Sequence, residues 1–406
     1  MEKLRTALVG CGKVGHTHAA ALATLDESNF VAVCDRDSIR AQAFAERYGV
    51  RSYTDVRRMI EETGPQAVVI ATPHPLHAEP AVAALELGVH VLVEKPLAAS
   101  LKDCDAMLAA ARKTGVKLGV ISQRRLYPSV QRVRAAIDAG KIGRPALGTA
   151  VILGWRDASY YRSDPWRGKW REEGGGVMVN QAPHQIDLLH WFMGPVEELS
   201  GYWDNLNHPN IEVEDTAVAV LRFKNGGLGS MILSNSQKPG IHGKVQVHGT
   251  NGASVGVQTD GGTMFVAGMS SILEPPVNDL WSVPGEETLL PIWQAEDRVT
   301  FESVDAATYY HRLQDQDFLR AIFENRDPLV TGEEGRRTVE VFTAVYRSQR
   351  NGRPVHFPLA AEDGCDDYDG RLTVPGGPSC KLERPEPCVA QARDPRGPAT
   401  EWCETQ

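Results

Sequence analysis

The spacing of apolar positions changes once along this chain, near Ile142, and the change divides it. Before that point, short apolar runs alternate with longer stretches of helical period. "TALVG", "FVAVCD", "AVVIAT", "HVLVE" and "KLGVISQ" have the length and composition of buried strands. Between them lie a helix from about Lys13 to Leu25, "SIRAQAFAERYG" closed by Gly49, "LHAEPAVAALELG" ended by Gly88, and "LKDCDAMLAAARKTG". Such alternation predicts parallel βαβ units. They build an open, doubly wound sheet with its ligand crevice at the carboxyl ends of the strands. After Ile142 the runs lengthen and alternate in and out: "DTAVAVLRF", "GLGSMILSNSQ" and "KVQVHG", divided by Asn-Gly and Gly-Gly turns. These predict antiparallel strands and hairpins. Helices from about Thr308 to Asn325 and from Gly335 to Arg350 close the region. The fold class is therefore α/β, a parallel sheet followed by an α+β domain with a largely antiparallel open sheet.

Length and composition fit that division. A chain of 406 residues suits two domains better than one core. The boundaries read as 1–123 for the parallel unit, 124–359 for the second domain and 360–406 for a tail. That tail is rich in Pro, Gly and charge, holds Cys380, Cys388 and Cys403, and predicts disorder. A net charge of -9 leaves no surplus of Lys and Arg to neutralise phosphates in bulk, which argues against a nucleic-acid partner. No apolar run approaches the ~20 residues that cross a bilayer, so no membrane partner is expected. The first motif begins within ten residues of Met1, which leaves no room for a secretory signal. The seven cysteines show no metal-ligand or redox spacing, and Cys11, Cys34 and Cys104 read as free thiols of a reducing cytoplasm.

The first strand and helix carry the most specific chemistry. Gly10, Gly12 and Gly15 follow "TALV" at once, although glycine in a helix costs about 1 kcal/mol relative to alanine. In a strand–turn–helix setting, G-x-G-x-x-G binds a dinucleotide. The first glycine allows the tight turn, the second admits the pyrophosphate, and the third lets helix and strand pack closely. The anion, cradled by the turn that includes Lys13 and Val14, then lies at a helix N-terminus. Asp35, at the end of the second strand, stands where an acid would bond the adenosine ribose. Its charge favours NAD over NADP. Arg36, next along, could stack on adenine or pair with a 2′-phosphate, which leaves NADP open. The parallel unit is thus of Rossmann type.

Further along, "TPHPLH" from Thr72, "EKP" from Glu94, "QRRLYP" from Gln123 and "GGGVMVNQAPHQIDLL" from Gly174 follow in order. Together with the glycine motif they resemble the Gfo/Idh/MocA oxidoreductases, from about Leu4 to Pro358. The resemblance implies roles. Lys95 faces the nicotinamide and the reacting hydroxyl, where an ammonium would stabilise a forming alkoxide. Glu94 lies beside the carboxamide, and Pro96 fixes the turn that aims Lys95. Thr72, Pro73 and His77 approach the nicotinamide ribose, although Thr72 and His77 equally suit helix-cap chemistry. Gln123 ends the fifth strand and Arg124 follows it into the crevice. Trp166 and Arg167 of "DPWRGKW" match a Trp-Arg pair near the nicotinamide. A Trp wall with an Arg fork suits a polyol, and aromatic packing at a domain junction is the plainer alternative.

His184 matches the family's catalytic histidine, whose ordinary pKa of about 6.5 suits proton removal near neutrality. Asp187, three residues on, would share its helix face and orient the imidazole or the substrate. Pro183 predicts that the helix begins there. Asn180 departs from the inositol dehydrogenase branch, which carries an aspartate at this point. It is read as a polar positioner, and the change puts inositol in question as substrate. The segments at Asn207 and Ser234 hold polar groups that could reach substrate. His16/His18 and His74/His77 have no third ligand, so no metal is expected.

The expected activity is hydride transfer between a nicotinamide, NAD with NADP open, and a secondary alcohol or ketone of a sugar, sugar derivative or cyclitol. Two alternatives remain: a glycoside hydrolase or lyase that oxidises its sugar transiently on bound NAD, and a dinucleotide sensor without turnover. A homo-oligomer through the open sheet is implied by the resemblance.

Overall fold

A computed structural model describes residues 3–261 and 272–361. The expected tail lies outside them from residue 362 onward. The N-terminal unit runs β1 (Leu4–Val9), α1 (Lys13–Thr24), β2 (Ser28–Cys34), α2 (Ser38–Tyr48), β3 (Arg51–Tyr53), α3 (Val56–Thr63), β4 (Ala67–Ile70), α4 (Ala78–Glu86), β5 (His90–Val93), α5 (Leu101–Thr114) and β6 (Leu118–Val120). Its strands pair in parallel in the order β3-β2-β1-β4-β5-β6. The order reverses between β1 and β4, and that switch point opens the crevice of a doubly wound sheet.

The element between Gly49 and Ala67 is a finding the apolar pattern missed. Strand β3 is three residues on the sheet edge, too short to show a period. Helix α3 buries only Met59 and Ile60 and is defined instead by its ends, an Asp55 side chain accepting from Arg58 N and a left-handed Gly64. Gly49 and Gly115 close α2 and α5 in the same left-handed manner.

The chain then forms α6 (Pro128–Asp138), β7 (Pro145–Leu153), three short helices α7 (Ala158–Arg162), α8 (Trp170–Glu173) and α9 (Val177–Asn180), and α10 (Pro183–Met193), with Pro183 in its first turn. There follow β8 (Val196–Asp204), β9 (Thr216–Phe223), β10 (Leu228–Ser234), β11 (His242–Gly249), β12 (Ser254–Gly261), β13 (Val277–Trp281), α11 (Leu289–Glu302), α12 (Ala306–Phe323), α13 (Gly332–Asn351) and β14 (Val355–His356). The second sheet has the order β13-β12-β11-β7-β10-β9-β8-β14, antiparallel except for β7 with β10. Helices α10 and α13 cover one face. A Cβ on Gly148 of β7 would sit 2.6 Å from Met193, which shows how closely α10 packs. Helix α12 packs against α1 and β5 of the first unit, so it belongs to the cofactor side, not to the sheet it follows. Among the described residues no helix is long and apolar enough to cross a membrane.

Candidate active site

The carboxyl ends of β1, β4 and β5 and the N-terminus of α1 open onto one crevice of about 1140 Å³, faced by residues between 156 and 184. Every residue singled out in the sequence as catalytic, substrate-binding or cofactor-binding lines it, except Gly15 and Asp187. The Asn207 and Ser234 segments do not line it.

The three glycines differ in what requires them. Gly10 has φ +101°, and a Cβ there would lie 2.6 Å from the Ala71 carbonyl. A Cβ on Gly15 would lie 2.3 Å from Gly10 O, so packing between turn and helix demands both residues. At Gly12, the N-cap of α1, an added Cβ meets no protein atom within 4 Å. Protein packing does not explain that glycine, and no side chain caps the helix. The open space beside bare N–H groups suits a pyrophosphate. Asp35 is pinned beside it: Cys11 N donates to one carboxylate oxygen at 2.8 Å and Asp37 N to the other at 2.9 Å. A carboxylate accepts about four hydrogen bonds, so acceptor sites remain for ribose hydroxyls. Exposed Arg36 lines the same end, and Lys13 Nζ reaches across the crevice to Asp164 at 2.9 Å. These residues fit a dinucleotide.

At the other end, the segment after β5 carries Glu94, Lys95 and Pro96, with a cis Lys95–Pro96 bond. Lys95 Nζ donates to the backbone carbonyl of Asn180 at 2.8 Å. Burial pushes the Lys95 ammonium down to about 8; Glu94 opposes the shift, and Arg124, Arg167 and Arg156 add to it. His184 is buried and held well below the usual imidazole range by that burial, with Arg124 and Lys95 adding to the effect. Near neutral pH the site therefore presents an imidazole free to accept a proton beside a lysine that keeps its own. His184 Nδ1 and Gln123 Oε1 have no hydrogen-bond partner among the described residues. An orphaned buried polar atom costs about 1–3 kcal/mol, which a bound ligand can relieve.

The walls are polar and already well tied. Asn180 Nδ2 donates to Glu173 Oε1 at 2.5 Å and to the Tyr160 hydroxyl at 3.0 Å. Burial raises the Glu173 carboxyl to about 7. Arg167 lies over the Trp166 and Tyr160 rings, 4.4 and 4.2 Å from their centroids, and pairs with Asp164. Both terminal nitrogens of Arg124 are taken by Asp260, at 2.5 and 2.8 Å. No group of His, Cys, Asp or Glu among the described residues is arranged to hold a metal ion.

Residues 4–122 match the family model described as "Oxidoreductase family, NAD-binding Rossmann fold", and residues 130–255 match the "GFO/IDH/MocA C-terminal domain". The chain belongs to the Gfo/Idh/MocA oxidoreductase family. It is similar to the scyllo-inositol 2-dehydrogenase (NAD(+)) of Bacillus subtilis, 27% identical over 369 residues, which span 88% of this chain and 97% of that protein. It is 30% identical over 256 residues to the myo-inositol 2-dehydrogenase of Thermotoga maritima, spanning 61% of this chain and 74% of that one. Among solved structures, the WlbA dehydrogenase of Bordetella pertussis, in complex with NADH and UDP-GlcNAcA, matches with a TM-score of 0.74 at 30% identity. It covers 88% of this chain and 100% of its own.

Two expectations for this family member need correction. Asp187 does not orient His184. Both its oxygens accept from Arg125, at 2.7 and 2.9 Å, and Ser122 Oγ donates to it at 2.6 Å. Helix α10 is buried nearly all round, so a shared helix face did not fix which neighbour Asp187 would choose, and the buried Arg125 guanidinium takes it. His77 is fully buried, and its ring nitrogens face the carbonyls of Thr72, at 2.8 Å, and Pro96, at 3.0 Å. It braces the two loops that flank the crevice and has no nitrogen left for a ribose. Thr72 keeps a lip position, its hydroxyl donating to Leu76 O.

Sequence reasoning missed Tyr160, Glu173 and a buried set around Glu94 formed by His18, His311 and Asp315. Only His18 was noticed, as half of a pair lacking a third metal ligand. Its partner Asp315 lies 297 positions away, beyond any spacing rule.

Proposed function

We propose that this protein is an NAD-dependent dehydrogenase or reductase acting on a secondary alcohol, or the matching ketone, of a sugar, sugar derivative or cyclitol. The observation that carries the reading is one of place: Gly12 at the open helix N-terminus, Asp35, Lys95 and His184 all line a single crevice. The nicotinamide, when bound, exchanges hydride with the carbinol carbon. His184 removes the hydroxyl proton, since its suppressed protonation keeps the ring free to accept one. The Lys95 ammonium donates to the alkoxide as it forms, aimed by its bond to the Asn180 carbonyl. The Asn180 side chain, tied to Glu173 and Tyr160, fixes that carbonyl instead of carrying charge. Trp166 and Arg124 form the substrate walls. Holding both reactants in attack geometry supplies a proximity contribution of up to ~7–11 kcal/mol.

A fluorescence screen for NADH across sugars, cyclitols and glycosides tests the reading. NADH accumulating with a polyol is the expected result. Release of an aglycone without net NADH would instead make the protein a hydrolase or lyase using transient oxidation. Binding of NAD with no turnover of any polyol would make it a sensor. Two buried free thiols, Cys11 and Cys34, support a cytoplasmic location. An apolar open sheet face supports a homo-oligomer.

A further inference from the structure

Glu94, the residue before Lys95, is buried, and two elements from opposite ends of the chain hold it. His18 of α1 places Nε2 3.0 Å from Glu94 Oε1. The other ring nitrogen, Nδ1, lies 2.9 and 3.0 Å from the two oxygens of Asp315 on α12. The backbone N–H of Lys95 donates to Glu94 Oε2 at 3.0 Å. His311, one turn before Asp315, points Nε2 at Oε1 from 3.5 Å while its Nδ1 sits 2.8 Å from the Ala307 carbonyl. His311 is thus a second imidazole facing Oε1, at a longer distance than His18.

An ionised carboxylate offers only lone pairs. An imidazole with a carboxylate on each nitrogen must therefore carry both protons, or one of the acids must carry the proton in its place. Burial works against a charged ring at His18, but the Asp315 and Glu94 carboxylates outweigh it and lift its pKa to about 10. Burial works to raise the Glu94 carboxyl, but hydrogen bonds and charge from His18 and His311 hold it well below the usual range. The trio of one cation and two anions leaves a net negative charge, and Glu94 is the member that lines the crevice along with Lys95.

We propose that His18, anchored by Asp315, is a positioning residue that keeps Glu94 ionised and turned to the crevice, so that the site favours the oxidised, cationic nicotinamide over the reduced, neutral one. This rests on the dehydrogenase reading, which puts the nicotinamide beside Glu94. A fixed anion near the ring stabilises NAD⁺ and does nothing comparable for NADH. Because α12 supplies Asp315, the cofactor site of the first unit is complete only when the C-terminal part of the chain has docked on α1.

The test compares cofactor binding by calorimetry in wild type, His18→Gln and Asp315→Asn. Loss of the cation lets buried Glu94 take up a proton. His18→Gln is then expected to weaken NAD⁺ by about tenfold or more near neutral pH while NADH changes by less than about threefold. The lost NAD⁺ affinity should return as pH rises and Glu94 ionises again. Lys95, His77 and His184 also feel the Glu94 charge, but they remain in place in both variants. Asp315→Asn should move the ratio in the same direction by less. A purely structural role would weaken both forms equally, at every pH, and that result overturns the proposal. If His18→Gln does not fold, nitrogen NMR of the wild type decides. Two protonated ring nitrogens on His18 at about pH 8 are expected, and a neutral ring there overturns it. A wild type that binds neither form refutes the dehydrogenase reading itself, whereas equal effects in a wild type that binds both refute only the role of His18.

Discussion

Burial lowers the proton affinity of Lys95 and of His184 alike, yet the kinetic consequences have opposite signs. For His184, the lowered pKa removes any need to shed a proton before catalysis, so no acid limb is expected near pH 6.5. For Lys95, folding brings the ammonium from its ordinary range down to about 8, so the proton that stabilises the alkoxide is lost as pH rises through that value. The kcat/KM for alcohol oxidation is then expected to level off and fall above about pH 8, and Lys95→Arg should carry that fall to higher pH. A profile still climbing past about pH 9 in both forms would remove the ammonium from the mechanism. Lys95→Ala should lower kcat by roughly 10²–10³, the scale of one lost oxyanion donor, with NAD affinity within about threefold. Single-turnover rates beside a binding isotherm separate the two effects. A variant that keeps its rate would overturn the assignment.

At the scale of the element, the strand–turn–helix at residues 4–24 joins two demands on glycine that the sequence alone shows as one motif. Gly10 and Gly15 answer to atoms of the protein, Gly12 to open space. Gly12→Ala should therefore leave thermal stability nearly unchanged and weaken NAD, while Gly15→Ala should lower stability by about 1–3 kcal/mol through overpacking. Denaturation midpoints and cofactor titrations of both variants check this, and equal stability losses would show that the turn, not a ligand, sets Gly12. The motif was legible because its glycines, flanking strand and Asp35 lie within one βαβ unit. So were strands β1, β2, β4 and β5, whose apolar runs are continuous because both faces are covered. What escaped was short or distant. Strand β3 has only three residues. The Asp187–Arg125 and His18–Asp315 pairs are choices made among buried neighbours that tertiary packing alone brings together.

Across the whole molecule, one end of the chain finishes what the other begins. Helix α12 leaves the second sheet to seat against α1, and α13 covers the sheet's inner face, so among the described residues the outer face keeps apolar side chains exposed. An antiparallel sheet open to water would carry polar residues there. Strand β9 alternates as a half-buried strand should, with Ala217, Ala219, Leu221 and Phe223 inside. Its outward positions nevertheless include Val218 and Val220, the latter 60% exposed. Register places Val218 between Ile232 of β10 and Tyr202 of β8, the latter 76% exposed, and Leu228 beside Leu147 of β7. The patch spans four adjacent strands, β7, β10, β9 and β8, an extent that can meet a second copy of itself across a two-fold axis. A stable pair needs on the order of 800 Å² per partner, a size compatible with a four-strand face. Val220→Arg with Ile232→Arg would set like charges against each other in a desolvated contact. Light scattering at micromolar concentration should then show a smaller particle than wild type, with NADH formation per chain retained because neither residue lines the crevice. A wild type that is already monomeric would leave the exposed stripe without its partner and refute the self-association. A double variant that keeps the wild-type mass would place the contact on another surface.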